Sequence, residues 1–443
     1  MKRSDFPDGF TFGTATSSYQ IEGTQFGRCG SNHWDKFAYE GGTANRENGD
    51  LACAHFEKWG EDFDLIKEAG FGAYRFSTAW PRIQPEGKGQ VFDESLDFYD
   101  ALVDGLLVRG IEPHLTLYHW DLPLPLAEKG GWTSKETAYR FGDYADIVSR
   151  KLGDRLASIA TINEPWCVAW LSHYLGHHAP GLTDLSAAAK AMHNILLAHG
   201  HGMEAMRASS SISSDCLLGI VLNIEVQHPA TDRDEDIFAS EIQDGIYNRW
   251  FADAVFKGEY PKDILEHLSL HMPEDWQSEM ALISQPIDWL GLNYYTRVQV
   301  KNDHTDVFPF GGVVAQPSAP NRTSMNWEIY PDGLEYFLKR IHERYDPKIP
   351  IMVSENGMAS HDRMKDGQVS DTQRVGYFEQ HLGAVQNAIA NGVPVTGYFA
   401  WSLLDNFEWA FGYQERFGIV HVDFETQERT PKASWYWWQE LLG

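Results

Sequence analysis

The sequence predicts an α/β fold: a (β/α)8 TIM barrel, built as a single domain over residues 1–443, with long βα loops forming the active face. Eight short strand-like runs alternate with helical stretches along the whole chain, which matches a closed barrel and not an open doubly wound sheet. Several runs end in polar or charged residues, and two end in a glutamate. No linker, low-complexity tract or charge block divides the 443 residues, and barrels commonly exceed the length of an ordinary single domain.

The first strand is expected over 10–16, where large and small residues alternate, and it leads into a polar segment with Gln20. Residues 29–50, rich in Gly, Asn and charge, read as a long βα loop. Phe56, Trp59, Phe63, Ile66 and Ala69 recur at helical spacing and stop at Gly70, a C-cap signal. The second strand, 72–80, carries Arg75 in an apolar run, and a cation in that setting needs a neighbouring carboxylate. A helix through Leu96 to Leu107 stops at Gly110, and the third strand, 112–121, ends in His119 and Trp120. The helix over 139–152 precedes the fourth strand, 158–164. There Pro165 ends the ladder, having no N–H to donate, and biases Glu164 toward an extended conformation. A helix over 185–208 leads to the fifth strand, 217–224, and the sixth, seventh and eighth fall at 287–295, 350–355 and 395–402. The Gly/Pro-rich stretch 309–320 reads as a long loop over the active face.

Composition narrows the function. With 36 basic and 63 acidic residues the formal net charge is −27, which repels nucleic acid and anionic membrane. No apolar run reaches the length of about 18 residues needed to span a bilayer. The basic start, Met1 to Pro7, has no apolar h-region behind it, so a reduced, cytoplasmic protein is expected. Cys29, Cys53, Cys167 and Cys216 are scattered without regular spacing and indicate neither a disulfide framework nor a zinc site. His177-His178 cannot act as an i, i+4 metal pair, and neither a phosphate-binding glycine loop nor a G-x-S-x-G elbow occurs. No cofactor and no metal are therefore expected. The 16 Trp, 19 Tyr and 24 Phe suit both a large core and a cleft that stacks on sugar rings.

Two runs carry the chemistry. Glu164 follows Ser158-Ile159-Ala160-Thr161-Ile162-Asn163, and Glu355 follows Pro350-Ile351-Met352-Val353-Ser354 just before Asn356-Gly357. In a parallel barrel all strand carboxyl ends meet on one face. Two carboxylates flanking one sugar ring are what cleavage of a glycosidic bond requires.

Taken in order along the chain, six motifs resemble glycoside hydrolase family 1, the β-glucosidase family. They are Tyr19-Gln20-Ile21-Glu22-Gly23, Tyr118-His119-Trp120-Asp121, Thr161-Ile162-Asn163-Glu164-Pro165, Asn293-Tyr294-Tyr295-Thr296, Val353-Ser354-Glu355-Asn356-Gly357, and the run from Trp401 to Trp409. The resemblance implies Glu164 as general acid/base and Glu355 as nucleophile of a retaining double displacement. It makes Arg75 and Tyr295 the groups that hold Glu355 charged. It implies Gln20, His119, Trp120, Asn163, Asn293, Trp401, Glu408 and Trp409 as the sugar-binding set, and Trp166 and Trp327 as aromatics on the aglycone side. The implied partner is a small β-glycoside or oligosaccharide, such as cellobiose, and a homo-oligomer is compatible with the sequence. The family's 6-phospho-β-glycosidases place Ser, Lys and Tyr where this chain has Glu408, Glu415 and Phe417, so unphosphorylated sugars are expected. Galactoside, fucoside or transfer activity is the alternative, and a catalytically inactive glycan-binding barrel is the reading from outside enzymes. Ser354 stands where the family usually has Thr; Leu124-Pro125-Leu126 and the segment 172–178 also depart from its pattern.

Overall fold

The computed structural model describes residues 1–302, 312–315 and 321–443. Its eight barrel strands are β1 (Thr11–Ala15), β2 (Ala73–Ser77), β3 (Glu112–Tyr118), β4 (Ser158–Asn163), β5 (Leu217–Pro229), β6 (Trp289–Asn302), β7 (Ile351–Asn356) and β8 (Val395–Trp401). Each pairs in parallel with its neighbours in sequence. The ring closes through β8 and β1, where Thr11 faces Gly397 and Ala15 faces Trp401. All eight strands expected from sequence are present.

Both strand faces are buried, which is why the runs read as nearly continuous apolar stretches. On β2, Tyr74 packs outward against Phe63 of the helix His55–Glu68, with ring centroids 5.5 Å apart. Arg75, two residues from Ala73, shares the opposite face and enters the barrel. The interior is filled by Ala15, Ala73, Ala160, Val221, Met352 and Phe399, among others. The Phe399 ring lies so close to β1 that a Cβ at Gly13 would fall 2.4 Å from it, so only glycine fits there.

The helices lie outside and start and stop where their ends are satisfied. Ser134 caps Lys135–Leu152 through the Glu136 N–H, and Asp184 caps Leu185–Ala208 through the Ala187 N–H at 2.7 Å. The helix His55–Glu68 stops before Gly70, whose φ of +84° suits glycine. The loop at 29–50 contains a short helix, His33–Tyr39, capped by Asn32. Four helices between Asp234 and Ile283 fill the connection from β5 to β6, and the helices Pro331–Tyr345, Thr372–Ala390 and Ala433–Leu442 follow β6, β7 and β8. Among the described residues no helix is long and apolar enough to cross a membrane.

Three expectations need correction. β5 and β6 run past the barrel rim and stay paired through His228–Gln299 and Pro229–Val300. Within the stretch expected as a loop, 309–320, residues Gly312–Ala315 form a strand antiparallel to β6, because that extension offers an open edge; the rest of the stretch lies outside the described residues. Glu164 is not extended. Its φ is +52°, the left-handed region, although its N–H still donates to the Val221 carbonyl at 3.0 Å. The ladder bond to β5 and the side-chain bonds described below outweigh the local preference imposed by Pro165.

Candidate active site

The barrel strands bring the expected residues to one rim. Arg75 enters from β2, Asn163 and Glu164 from β4, Asn293 and Tyr295 from β6, and Glu355 from β7. Arg75, only 2% exposed, donates from Nη1 to Glu355 Oε1 at 2.6 Å and from Nη2 to Asn163 Oδ1 at 2.8 Å. The Tyr295 hydroxyl donates to Glu355 Oε2 at 2.6 Å, so each Glu355 oxygen has a donor. Asn293 Nδ2 donates to Glu164 Oε1 at 2.9 Å and to Asn163 Oδ1 at 3.1 Å. Ser354 donates to Asn293 Oδ1 at 2.7 Å, so the serine that departs from the family pattern orients the amide serving Glu164. Arg75, Asn163 and Asn293 thus bridge the two carboxyls in one buried network.

The carboxyls are buried alike but surrounded differently. Glu164 is 6% exposed and Glu355 3%. Burial, then the Glu355 charge, pushes Glu164 up to about 8, against a smaller opposing pull from its amide and thiol donors and the Arg75 charge. Burial raises Glu355 too, but the Arg75 guanidinium and the Tyr295 hydroxyl pull it back. These surroundings favour the pair's proton on Glu164, since the cation and the hydroxyl donor both serve Glu355.

This difference has a consequence for stability. A carboxyl that ionises near 4.5 in the unfolded chain and about 8 in the fold binds more protons when folded across that window, so wild-type stability falls as pH rises through it. Glu164→Gln removes that dependence. Its Tm should exceed wild type by about 2–5 °C at pH 8 and match it near pH 4.5. Melting curves at the two pH values check this, and a gap that does not change with pH would refute it.

The remaining expected residues line the same rim. Gln20 accepts from Ser17 at 2.6 Å and donates to the Phe407 carbonyl at 2.9 Å and Asn406 Oδ1 at 3.0 Å, which fixes it beside Glu408. Asn163 Nδ2 donates to His119 Nε2 at 3.2 Å. His119 Nδ1 has no partner among the described residues, and burial holds the ring neutral. The imidazole lies nearly parallel to Trp401 and Trp409, at centroid distances of 5.6 and 6.1 Å. Trp120 donates to the Asn163 carbonyl at 3.0 Å and packs on Trp409 at 4.6 Å. Glu408 is partly exposed, and burial followed by the charges of Glu355 and Glu415 pushes it up to about 8. Ser324 donates to Glu415.

The two aromatics expected on the aglycone side stand apart. Trp327 packs against Tyr295 at 5.6 Å, whereas Trp166 lies on Tyr247 at 4.2 Å. Tyr247 belongs to a π-helical turn, Gly245–Arg249, and Cys167 begins another, Cys167–Leu171; neither was expected from sequence as a site residue. π-turns often mark functional sites, but no residue pattern announces them. Among the described residues no group of three or more His, Cys, Asp or Glu side chains could hold a metal ion.

Two carboxyls at one barrel mouth, one bound by a cation and the other by neutral donors, are the equipment of enzymes that cleave glycosidic bonds by acid/base and nucleophilic chemistry. The model of Glycosyl hydrolase family 1 matches residues 2–443, and the chain belongs to that family. It is 48% identical over 442 residues to a beta-glucosidase from Agrobacterium sp., covering 99% of this chain and 95% of the relative. A bifunctional beta-D-glucosidase/beta-D-fucosidase from Bifidobacterium breve is 42% identical over 463 residues, covering 99% and 98%. A solved Thermotoga maritima family 1 glycoside hydrolase, complexed with a cyclophellitol analogue transition state mimic, has a TM-score of 0.94 at 42% identity, covering 99% and 98%.

Proposed function

We propose that this protein, as one catalytic unit over residues 1–443, is a retaining β-glucosidase. It releases terminal non-reducing β-D-glucosyl residues from β-glucosides and short β-gluco-oligosaccharides. The observation that carries this reading is the buried pair itself, in which Glu355 is charge-stabilised by Arg75 and Tyr295 while Glu164 holds a proton.

Glu355 attacks the anomeric carbon as Glu164 protonates the departing oxygen. A covalent glycosyl-enzyme forms, and the aglycone leaves as a neutral alcohol. Glu164, now a carboxylate, takes a proton from water, which displaces Glu355 and restores the β configuration. Retention requires carboxyls about 5–5.5 Å apart, with no room for water between nucleophile and sugar. Asn163 is set to bond the sugar 2-hydroxyl, and the unpartnered His119 Nδ1 is available to another hydroxyl. Gln20, Asn293, Glu408 and Trp409 complete the polar set, with Trp401 and Trp120 as its aromatic walls and Trp166 and Trp327 toward the aglycone. Buried donors and acceptors of this sort discriminate strongly, because a mismatched sugar leaves them unpaired. The free thiols at Cys29, Cys53, Cys167 and Cys216 fit a reducing, cytoplasmic setting. A second activity on β-fucosides is favoured by the Bifidobacterium breve relative, whose name includes it.

The test is kcat/KM on matched aryl β-glycosides: glucoside, galactoside, fucoside and 6-phosphoglucoside. The glucoside should be turned over well, and the 6-phosphoglucoside at least about 10³-fold less, because Glu408 and Glu415 offer its phosphate no cation and leave the buried charge without a partner. Preference for the phosphorylated sugar would overturn the specificity while leaving the two-carboxyl chemistry intact.

A further inference from the structure

The geometry points to Cys167 as a positioning residue for the Glu164 carboxyl: its buried thiol donates to Oε2 while Asn293 donates to Oε1, and together they fix the plane in which that carboxyl gives up and recovers its proton. This rests on Glu164 being the acid/base.

Cys167 Sγ lies 3.3 Å from Glu164 Oε2, and Asn223 Nδ2 on β5 stands 3.9 Å from the same sulfur. The thiol therefore takes one weak donor and supplies another, in a short chain from β5 to the carboxyl. The chain geometry enforces this placement. Val168 N–H donates to the Glu164 carbonyl at 3.2 Å, which closes the turn and returns residue 167 to the Glu164 side. At 8% exposed, Cys167 is buried, and burial together with the Glu164 charge holds the thiol well above its ordinary range, so it keeps its proton.

The charged and titratable groups facing Glu164 are Glu355 from β7, Arg75 from β2, Tyr295 from β6, Glu408 from the segment after β8, and Tyr247 from the turn Gly245–Arg249. Cys167 is neutral, so its removal changes the hydrogen bonding of Glu164 without changing the charge of the site. A donor to the carboxylate favours the ionised form. Without the thiol, Glu164 holds its proton to higher pH.

The experiment compares wild type with C167A and C167V, which lack a donor, and C167S, which keeps one. kcat/KM is followed against pH on phenyl β-glucoside, whose leaving group needs a proton, and on 2,4-dinitrophenyl β-glucoside, whose leaving group does not. On the phenyl substrate the alkaline limb should move up by about 0.5–1 pH unit in both donor-free variants and return toward wild type in C167S. On the dinitrophenyl substrate kcat/KM should stay within about twofold of wild type in all three variants. A limb that stays put in C167A and C167V would reduce the thiol to packing and overturn the proposal. A wild-type limb that is the same for both leaving groups would instead overturn the assignment of Glu164.

Discussion

Replacing Glu355 with glycine should abolish hydrolysis of aryl β-glucosides, with kcat falling on the order of 10⁵-fold. No neighbouring group can substitute, since Arg75 and Tyr295 are donors fixed on the missing carboxylate and Glu164 is occupied as the acid. The cavity left behind sits beside a guanidinium and suits a small anion. Added azide should therefore restore turnover of a substrate with a good leaving group and yield the α-glucosyl azide, with inverted configuration. The Glu164→Ala variant should behave differently. Glycosylation by an activated substrate survives there, and azide attacks the glycosyl-enzyme to give the β-glucosyl azide. Product configuration, read by NMR, distinguishes the two roles, and an exchange of these products between the variants would reverse the assignment.

Replacing Arg75 with methionine should be the next most damaging change, for electrostatic reasons. The guanidinium offsets the burial that raises Glu355 and also holds Asn163, so its loss leaves a buried carboxylate without its cation. Breaking a buried pair from one side costs about 3–5 kcal/mol of stability. The sign follows from the proton. Glu355, already raised, moves higher still, so the charged nucleophile exists only at higher pH and the acid limb of kcat/KM moves up. The stability loss is smaller at pH 5 than at pH 8, because protonation removes the uncompensated charge. kcat/KM at the pH optimum should fall about 10²–10³-fold. Lysine at position 75 restores charge but not the two-pronged contact to Glu355 and Asn163, and should recover only part of the loss. An acid limb that does not move in R75M would separate Arg75 from control of Glu355.

Much of this site was legible in the chain because barrel topology turns sequence pattern into position. Glu164 and Glu355 each end an apolar run, and parallel strands must place such ends on one rim. Arg75 was legible as a cation inside an apolar strand, since a buried charge needs a partner, and the partner is Glu355 at 2.6 Å. The helices after β1, β2, β3 and β4 were readable from apolar spacing and their caps. The helices between Asp234 and Ile283, and those after β6 to β8, were not singled out by the same reading.

Local pattern along the chain was enough for the eight-stranded order, the two strand-end carboxylates and the residue types that could serve them. Those follow from local periodicity and from the cost of burying charge. Which side chains meet was settled by the closed barrel. It set Glu164 in a left-handed conformation against the bias of Pro165, made Ser354 the support of Asn293, carried β5 and β6 beyond the rim, and brought the Cys167 thiol to the Glu164 carboxyl. Each of these depends on distances between residues on different strands or on a turn whose period no pattern announces. Local propensity is worth less than the hydrogen bonds and packing that the closed barrel enforces.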